Sequence, residues 1–380
     1  RYPCKFYRDE QTRTGNKTVI TILMINVTQS FLPPLEEYTQ YLQKSWDKNW
    51  ITNRGSLLLE LEDQLKKFLG VDYLTITTNG TLPLQIAIKT LELKGEIITT
   101  PFSYIASSSS IFWENCTPVY VDIHPEYLTI DESKIEEKIT DKTSAILATH
   151  VFGNPCHVLE IEKIAQKYNL KVIYDAAHCF GVQYNGESIF NFGDVSTCSF
   201  HATKIFHTGE GGCMITKNQD LHEKLFFHHN FGHNGPEDFY GLGINAKTSE
   251  LQAALGLAVF DHIDEIFEGR KKAVEAYDNF LDFSKIQKLK IRENTRWNYH
   301  YYPVIFDSEE TLLKVKDALN KENIFPRRYF YPSLNTVKYL DGEKMPISES
   351  ISKRILCLPL SADLQSEIVE KISKIINENA

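Results

Sequence analysis

Short apolar runs alternate along this chain with stretches in which apolar residues recur every three or four positions. The short runs fall at 73–77, 96–100, 119–123, 145–150, 172–175, 195–200 and 213–216. Most are nearly continuous rather than alternating, the pattern of a strand buried on both faces. Before and between them the spacing is helical. Leu35, Tyr38, Leu42 and Trp46 form one stripe, and Leu57, Leu61, Leu65 and Leu69 a second, ended by Gly70. Glycine is a common helix stop. Leu84, Ile86, Ala87, Ile88 and Leu91 form a third, and 159–168 reads as a fourth helix. Strands alternating with helices predict an α/β fold with a mostly parallel central sheet flanked by helices.

The pattern changes after residue 249. A single long helix is predicted over 249–281 (Leu251, Ala254, Leu255, Ala258, Ile263, Ile266), joining two domains. Beyond it come a strand at 301–306, a helix at 312–319, a strand at 355–360 and a helix at 368–376, which together predict a small α+β C-terminal domain. The expected organisation is a large domain over 24–255 and a small one over 256–380, preceded by an extension of unclear role, 1–23.

Composition narrows the function classes. A chain of 380 residues with 42% hydrophobic and 24% charged residues is long enough for a large core and ordinary for a globular protein. The net charge of −9, with no basic arm, argues against nucleic acid as the main partner. The longest apolar stretch near the start, 19–27, is far short of the ~20 residues a membrane span needs. Seven scattered cysteines without a Cys-x-x-Cys pair suit a reducing cytoplasm rather than a disulfide framework. Four Asn-x-Ser/Thr sequons, at Asn16, Asn26, Asn79 and Asn115, read as chance matches in a cytoplasmic protein.

Three places carry candidate chemistry. Lys204 lies just after the run at 195–200 and before Gly209-Glu210-Gly211-Gly212. A lysine at such a strand end, where a domain interior opens into a cleft, is desolvated, loses its proton more readily and can form a Schiff base with an aldehyde; the plain alternative is a surface lysine. Asp175 ends the run at 172–175 and is followed by Ala176, Ala177 and His178. Pyridoxal phosphate needs such a lysine for its aldehyde and a carboxylate beside its ring nitrogen, which keeps the ring an electron sink. The alanines leave room for a flat ring, and His178 could donate to the ring oxygen; the alternative for Asp175 is a helix N-cap. Asn79-Gly80-Thr81, between a strand and a helix with Pro83 in its first turn, suits a phosphate on the free N–H groups of the helix start. Asn-Gly alone is also an ordinary turn. The three in this order point to a pyridoxal phosphate site.

These motifs resemble the DegT/DnrJ/EryC1/StrS sugar aminotransferases, within fold-type-I pyridoxal phosphate enzymes. The resemblance runs from about Ile25 to the C-terminus. It rests on the Asn79 turn, Thr100-Pro101-Phe102-Ser103-Tyr104-Ile105-Ala106, Pro118–Asp122, His150–Gly153, Asp175–His178, Ser199–Lys204 and Gly243-Ile244-Asn245. It implies Lys204 and Asp175 as catalytic residues. It also implies a cofactor site of Gly80, Thr81, Tyr104 (stacked on the ring), Asp175, His178, Ser199 (on the phosphate), Lys204 and Asn245. In the family the asparagine corresponding to Asn245 reaches the phosphate of the neighbouring subunit, which implies a homodimer with shared sites. Trp50–Gly55, Gly153–Cys156 and Arg328–Pro332 suggest the branch that aminates C4 of dTDP-4-keto-6-deoxyglucose from L-glutamate, a step in deoxyamino sugar and polysaccharide biosynthesis.

The remaining candidates are less distinctive. Arg327, Arg328 and Tyr331 are candidate substrate contacts, because arginine forks suit a pyrophosphate; a surface pair is the alternative. His201 and His207 flank the lysine and are candidates to touch substrate. His228, His229 and His233 lack metal-site spacing, and no metal is expected. A related sugar dehydratase would carry histidine in place of Lys204. Amination at C3 of a 3-keto sugar and a non-catalytic binding or regulatory protein on the same fold stay open. The absence of Gly-x-Gly-x-x-Gly argues against a nicotinamide oxidoreductase.

Overall fold

A computed structural model describes residues 24–380; the extension 1–23, with Asn16 and Cys4, lies outside the described residues. A seven-stranded sheet organises the large domain. Its strands lie side by side in the order Tyr73–Thr77, Gly212–Thr216, Val195–Ser199, Lys171–Asp175, Thr143–Thr149, Glu96–Thr99 and Thr117–Tyr120. Pairings are parallel except those of Gly212–Thr216, which runs against both its neighbours. All seven predicted runs are strands, with ends that differ by up to three residues.

The sheet is covered on both faces, which explains the near-continuous apolar runs. Ile98, Ile146, Val172 and Cys198 enter a core shared with the helices Ser56–Leu69, Val158–Tyr168 and Glu250–Phe260. Ile97, Leu147, Ile173 and Met214 point the other way, toward Leu82–Thr90, Ile105–Trp113 and Gln219–His229. Neighbours in one strand thus serve opposite cores, as the two-residue period of a strand requires.

The long helix predicted at 249–281 is two helices, Glu250–Phe260 and Ile263–Phe280. The break falls at the polar pair Asp261-His262. Tyr41 donates its hydroxyl to Asp261 (2.9 Å), and His262 Nε2 pairs with Glu37 (2.7 Å). Both partners sit on Leu35–Asp47, which therefore fixes the bend. Ile263 and Ile266 belong to the first core, and Ala273, Val274 and Tyr277 to the second. The proposed division into a large and a small domain passes along this stretch of chain.

The small domain has a three-stranded antiparallel sheet, Gln287–Lys288, Tyr302–Ile305 and Ile355–Leu358, with the helices Glu309–Lys321 and Ser366–Asn379 around it. Several hydrogen bonds hold it to the large domain, those to Asp122 and Pro101 among them. The buried Asp122 carboxylate accepts from Ile347 N (2.9 Å) and Ser348 N (2.8 Å), at the start of the helix Pro346–Arg354. Leu334 N donates to Pro101 O (2.9 Å). A carboxylate at a helix start suits both the unpaired N–H groups and the helix dipole.

Candidate active site

The parallel strands bring their carboxyl ends to one edge, where open α/β sheets bind ligands. Register sets the rows there. Thr77, Gly212 and Ser199 lie opposite one another, and so do Thr149, Asp175 and Thr197. Asn79, Asp175 and Lys204, 125 residues apart at the extremes, meet at this edge because each follows or ends one of these strands.

The turn after Tyr73–Thr77 presses on its neighbours. A Cβ at Gly80 would come within 2.7 Å of Ser199 Cβ and 2.9 Å of its Oγ. One at Gly212 would come within 2.5 Å of Asn79 O. Only glycine fits either position, and the fit brings Gly80 against Ser199. The turn is more closed than the sequence reading has it. Asn79 Oδ1 already accepts from Thr81 N and Leu82 N (2.9 Å each), two of the N–H groups expected to meet a phosphate. Asn79 acts as an Asx-type cap there.

Lys204 stands in the connection from Val195–Ser199 to Gly212–Thr216. The connection is closed by Phe200 N to Gly211 O (2.8 Å), Ala202 N to Gly209 O (2.8 Å) and Thr208 N to Phe200 O (3.0 Å). Phe206 anchors it from below, packed on Phe200 and Phe180 (ring centroids 4.8 Å from each). Desolvation pulls the Lys204 ammonium down to about 8, against the opposing attraction of Asp175. Capture of an aldehyde needs the neutral amine. Uptake of pyridoxal phosphate by cofactor-free protein is therefore expected to accelerate about tenfold per pH unit below pH 8 and to level off above it. Stopped-flow absorbance checks this; a rate still climbing tenfold per unit at pH 10 would contradict it.

Asp175 is buried, and burial pushes its carboxyl up. Donation from Ser107 Oγ (2.5 Å) and Ala177 N (3.2 Å), with the charge of Lys204, works the other way. Behind Ser107 come Ser103 Oγ (2.7 Å) and then Thr149 Oγ1, 3.1 Å from Ser103. The sequence reading misses these hydroxyls. Their signal is the run Ser107–Ser110 in a helix of which Ser107, Ser108 and Ser110 are buried, since a buried hydroxyl needs a partner.

His178 is buried beneath the same edge. Its Nδ1 accepts from Phe152 N (3.2 Å), so in the neutral ring Nε2 carries the proton. Burial and the charge of Lys204 hold it well below the usual histidine range, which keeps it neutral. It stacks on His300 (4.7 Å), another residue missed from sequence; both His300 nitrogens are buried without a partner. Arg270 holds the backbone around His300, donating to Tyr299 O (3.0 Å), Leu360 O (3.2 Å) and His300 O.

The other candidates divide. Tyr104 is 54% exposed just before Ile105–Trp113, and so is not a core tyrosine. The stretch 327–332 packs close by: Phe330 lies against His178 (5.9 Å) and Phe102 (5.7 Å). Within it Arg327 is exposed, with its guanidinium over Tyr329 (4.8 Å). Arg328 is instead held by Glu309 (2.6 Å) and Lys353 O (3.1 Å), and lies 3.6 Å from the Tyr331 ring centroid. His207 is taken up by structural bonds, to Phe31 O (2.7 Å) and from Gly209 N (3.3 Å), which corrects its reading as a substrate contact. His201 bonds Thr203 (2.8 Å). Asn245 is exposed beside the Asn79-Gly80-Thr81 turn, since Thr78 N donates to Ala246 O (2.8 Å). Its Oδ1 accepts from Lys247 Nζ (3.0 Å), leaving the Nδ2 hydrogens for another acceptor. Among the described residues no cluster of histidine, cysteine and acidic side chains could hold a metal ion.

The donor set fits pyridoxal phosphate. It offers a desolvated amine, a buried carboxylate that accepts from Ser107 and Ala177 N, and a glycine turn pressed on a serine hydroxyl. Comparison with known proteins agrees. The DegT/DnrJ/EryC1/StrS aminotransferase family matches residues 35–377. The chain is 42% identical over 361 residues to a dTDP-4-amino-4,6-dideoxy-D-glucose transaminase of Shigella dysenteriae, covering 93% of this chain and 98% of that protein. It is 39% identical over 364 residues to the protein of that name from Escherichia coli, at the same coverage. The fold is similar to the crystal structure of DesI in the presence of its TDP-sugar product, with a TM-score of 0.88, 27% identity and coverage of 96% and 94%.

Proposed function

This chain belongs to the DegT/DnrJ/EryC1/StrS aminotransferase family, and on that premise we propose that it moves the amino group of L-glutamate to C4 of dTDP-4-keto-6-deoxy-D-glucose, forming dTDP-4-amino-4,6-dideoxy-D-glucose. The observation that carries the reading is the meeting of Lys204, Asp175 and the Gly80–Ser199 contact at one sheet edge, in a chain 42% identical to a transaminase of that name. Bound pyridoxal phosphate supplies an aldehyde and a conjugated ring that draws electrons from the donor's α-carbon. Lys204 would hold the aldehyde, and its Nζ would serve as general acid and base; an amine near 8 suits that work. Asp175 holds a proton on the ring nitrogen. Ser199 Oγ, Gly80 N and the Thr81 hydroxyl would bind the phosphate, since Asn79 already holds Thr81 N. Tyr104 covers the ring, and neutral His178 offers Nε2–H to its oxygen. Arg327 and Tyr331 receive the nucleotide sugar. Arg328, tied to Glu309, sets the shape of that stretch unless substrate displaces the pair.

The test is incubation with nucleotide keto-sugars and L-glutamate, with the aminated carbon read by NMR. An amine at C4 of the dTDP sugar is the expected product. An amine at C3, or no amine from any sugar, would overturn the reading.

A homodimer with shared sites is part of the proposal. Supporting it, the loop that ends at Asn245 exposes Phe231, Phe239, Tyr240, Leu242 and Ile244, an apolar surface of the kind covered in oligomers. A cytoplasmic location is also proposed, supported by six buried free cysteines. Mixing inactive Lys204→Ala chains with inactive Asn245→Asp chains is expected to restore activity, because one site of the hybrid pairs intact Lys204 with intact Asn245. No recovery after demonstrated subunit exchange would contradict shared sites.

A further inference from the structure

The hydroxyls behind Asp175 form a chain whose direction is dictated by charge. An ionised carboxylate only accepts, so Ser107 spends its one proton on Asp175 Oδ2 (2.5 Å). Ser107 then accepts, and Ser103 must give it a proton (2.7 Å). Ser103 accepts in turn from Thr149 Oγ1 (3.1 Å). Every O–H dipole thus points at the carboxylate, and hydrogen bonds aligned this way strengthen one another. The three residues come from separate places: the loop after Glu96–Thr99, the helix Ile105–Trp113 and the end of Thr143–Thr149. A helical serine ordinarily turns its hydroxyl to the carbonyl four residues back or to water. Ser107 reaches a carboxylate 68 positions away. Thr149 is held opposite Asp175 by the parallel pairing of their strands, so the chain's two ends are fixed by backbone.

We propose that Thr149, Ser103 and Ser107 form a one-way hydroxyl relay that keeps the proton on the cofactor's ring nitrogen rather than on Asp175, with Ser107 as its decisive positioning residue. This rests on the reading of Asp175 as the ring-nitrogen partner. A carboxylate and a ring nitrogen in contact compete for one proton. Donors to the carboxylate lower its proton affinity and leave the proton on the nitrogen, where it makes the ring an electron sink. Burial works the other way and favours the neutral acid. Titratable groups facing Asp175 are Lys204, whose charge favours the anion, and the buried thiols Cys179 and Cys198, neutral at physiological pH. Beside Ala177 N, Ser107 is the side-chain donor that opposes burial at this carboxylate.

The test uses holoenzyme loaded with pyridoxal phosphate labelled with 15N in the ring, read by NMR. The wild type is expected to show a protonated nitrogen and Asp175→Asn an unprotonated one. Ser107→Ala is expected to move the signal toward the unprotonated position, and Ser107→Thr to restore it. In Ser107→Ala, kcat should fall about tenfold while KM for L-glutamate stays within about twofold, the loss of one charge-assisted hydrogen bond at the reacting centre. A Ser107→Ala enzyme with the wild-type 15N signal and kcat would overturn the relay and leave the role of Asp175 standing. A wild-type nitrogen without a proton, or an unshifted Asp175→Asn, would overturn both. If Ser107→Ala does not fold, Ser103→Ala, one hydroxyl further back, carries the test: a smaller shift in the same direction is expected, and no shift overturns the relay.

Discussion

Lys204→Ala is expected to lower turnover by more than about 10⁴-fold, because in the proposed mechanism one side chain holds the cofactor's aldehyde and also carries the proton. The fold should tolerate the change. A desolvated ammonium opposes folding rather than assisting it, so the melting temperature of the cofactor-free variant is expected to equal or exceed that of the cofactor-free wild type. This pairing of effects separates a chemical role from a structural one. A small primary amine added to the variant should recover part of the proton-transfer step. Turnover within tenfold of the wild type would remove Lys204 from the mechanism.

Asp175→Asn is expected to cost on the order of 10²–10³ in kcat while the cofactor still binds. The amide has the shape of the carboxylate, and its one oxygen can keep the bond from Ala177 N while its NH2 faces Ser107 Oγ, which can turn to accept. It cannot hold a proton on the ring nitrogen, which is where the loss arises. Burial of the native carboxylate is itself a cost, visible in its raised pKa, so the cofactor-free variant should be no less stable. For a group whose folded pKa is raised, an acid favours the folded state as pH falls. Stability gained from neutralising Asp175 should therefore appear in the wild type on acidification and be absent from the variant. Near-normal turnover in Asp175→Asn would reject the role of ring partner.

The sheet was legible because both of its faces are buried. Seven apolar runs then stand out as strands, and the residues that follow them can be placed at one edge. That logic brings Asn79, Asp175 and Lys204 together before any coordinates are known. The bend at Asp261-His262 was not legible, because it depends on Tyr41 and Glu37, more than 200 positions away. The same holds for Arg328. Sequence presents it as a free fork beside Arg327, and only the fold shows Glu309 holding it. His207 looked like a cleft residue from its distance to Lys204 along the chain, but its ring turns to Phe31 O. Ser107 and His300 were overlooked for the opposite reason. Hydroxyls and imidazoles in apolar segments look like satisfied core groups until their partners, or the lack of them, are seen.

The proposed activity requires Lys204 to carry pyridoxal phosphate. Borohydride reduction of the cofactor-loaded enzyme, followed by proteolysis and peptide mapping, measures this directly. The pyridoxyl mass is expected on the peptide containing Ser199-Phe200-His201-Ala202-Thr203-Lys204 and to localise to Lys204. A label on any other lysine, or none on protein shown to bind the cofactor, would contradict it.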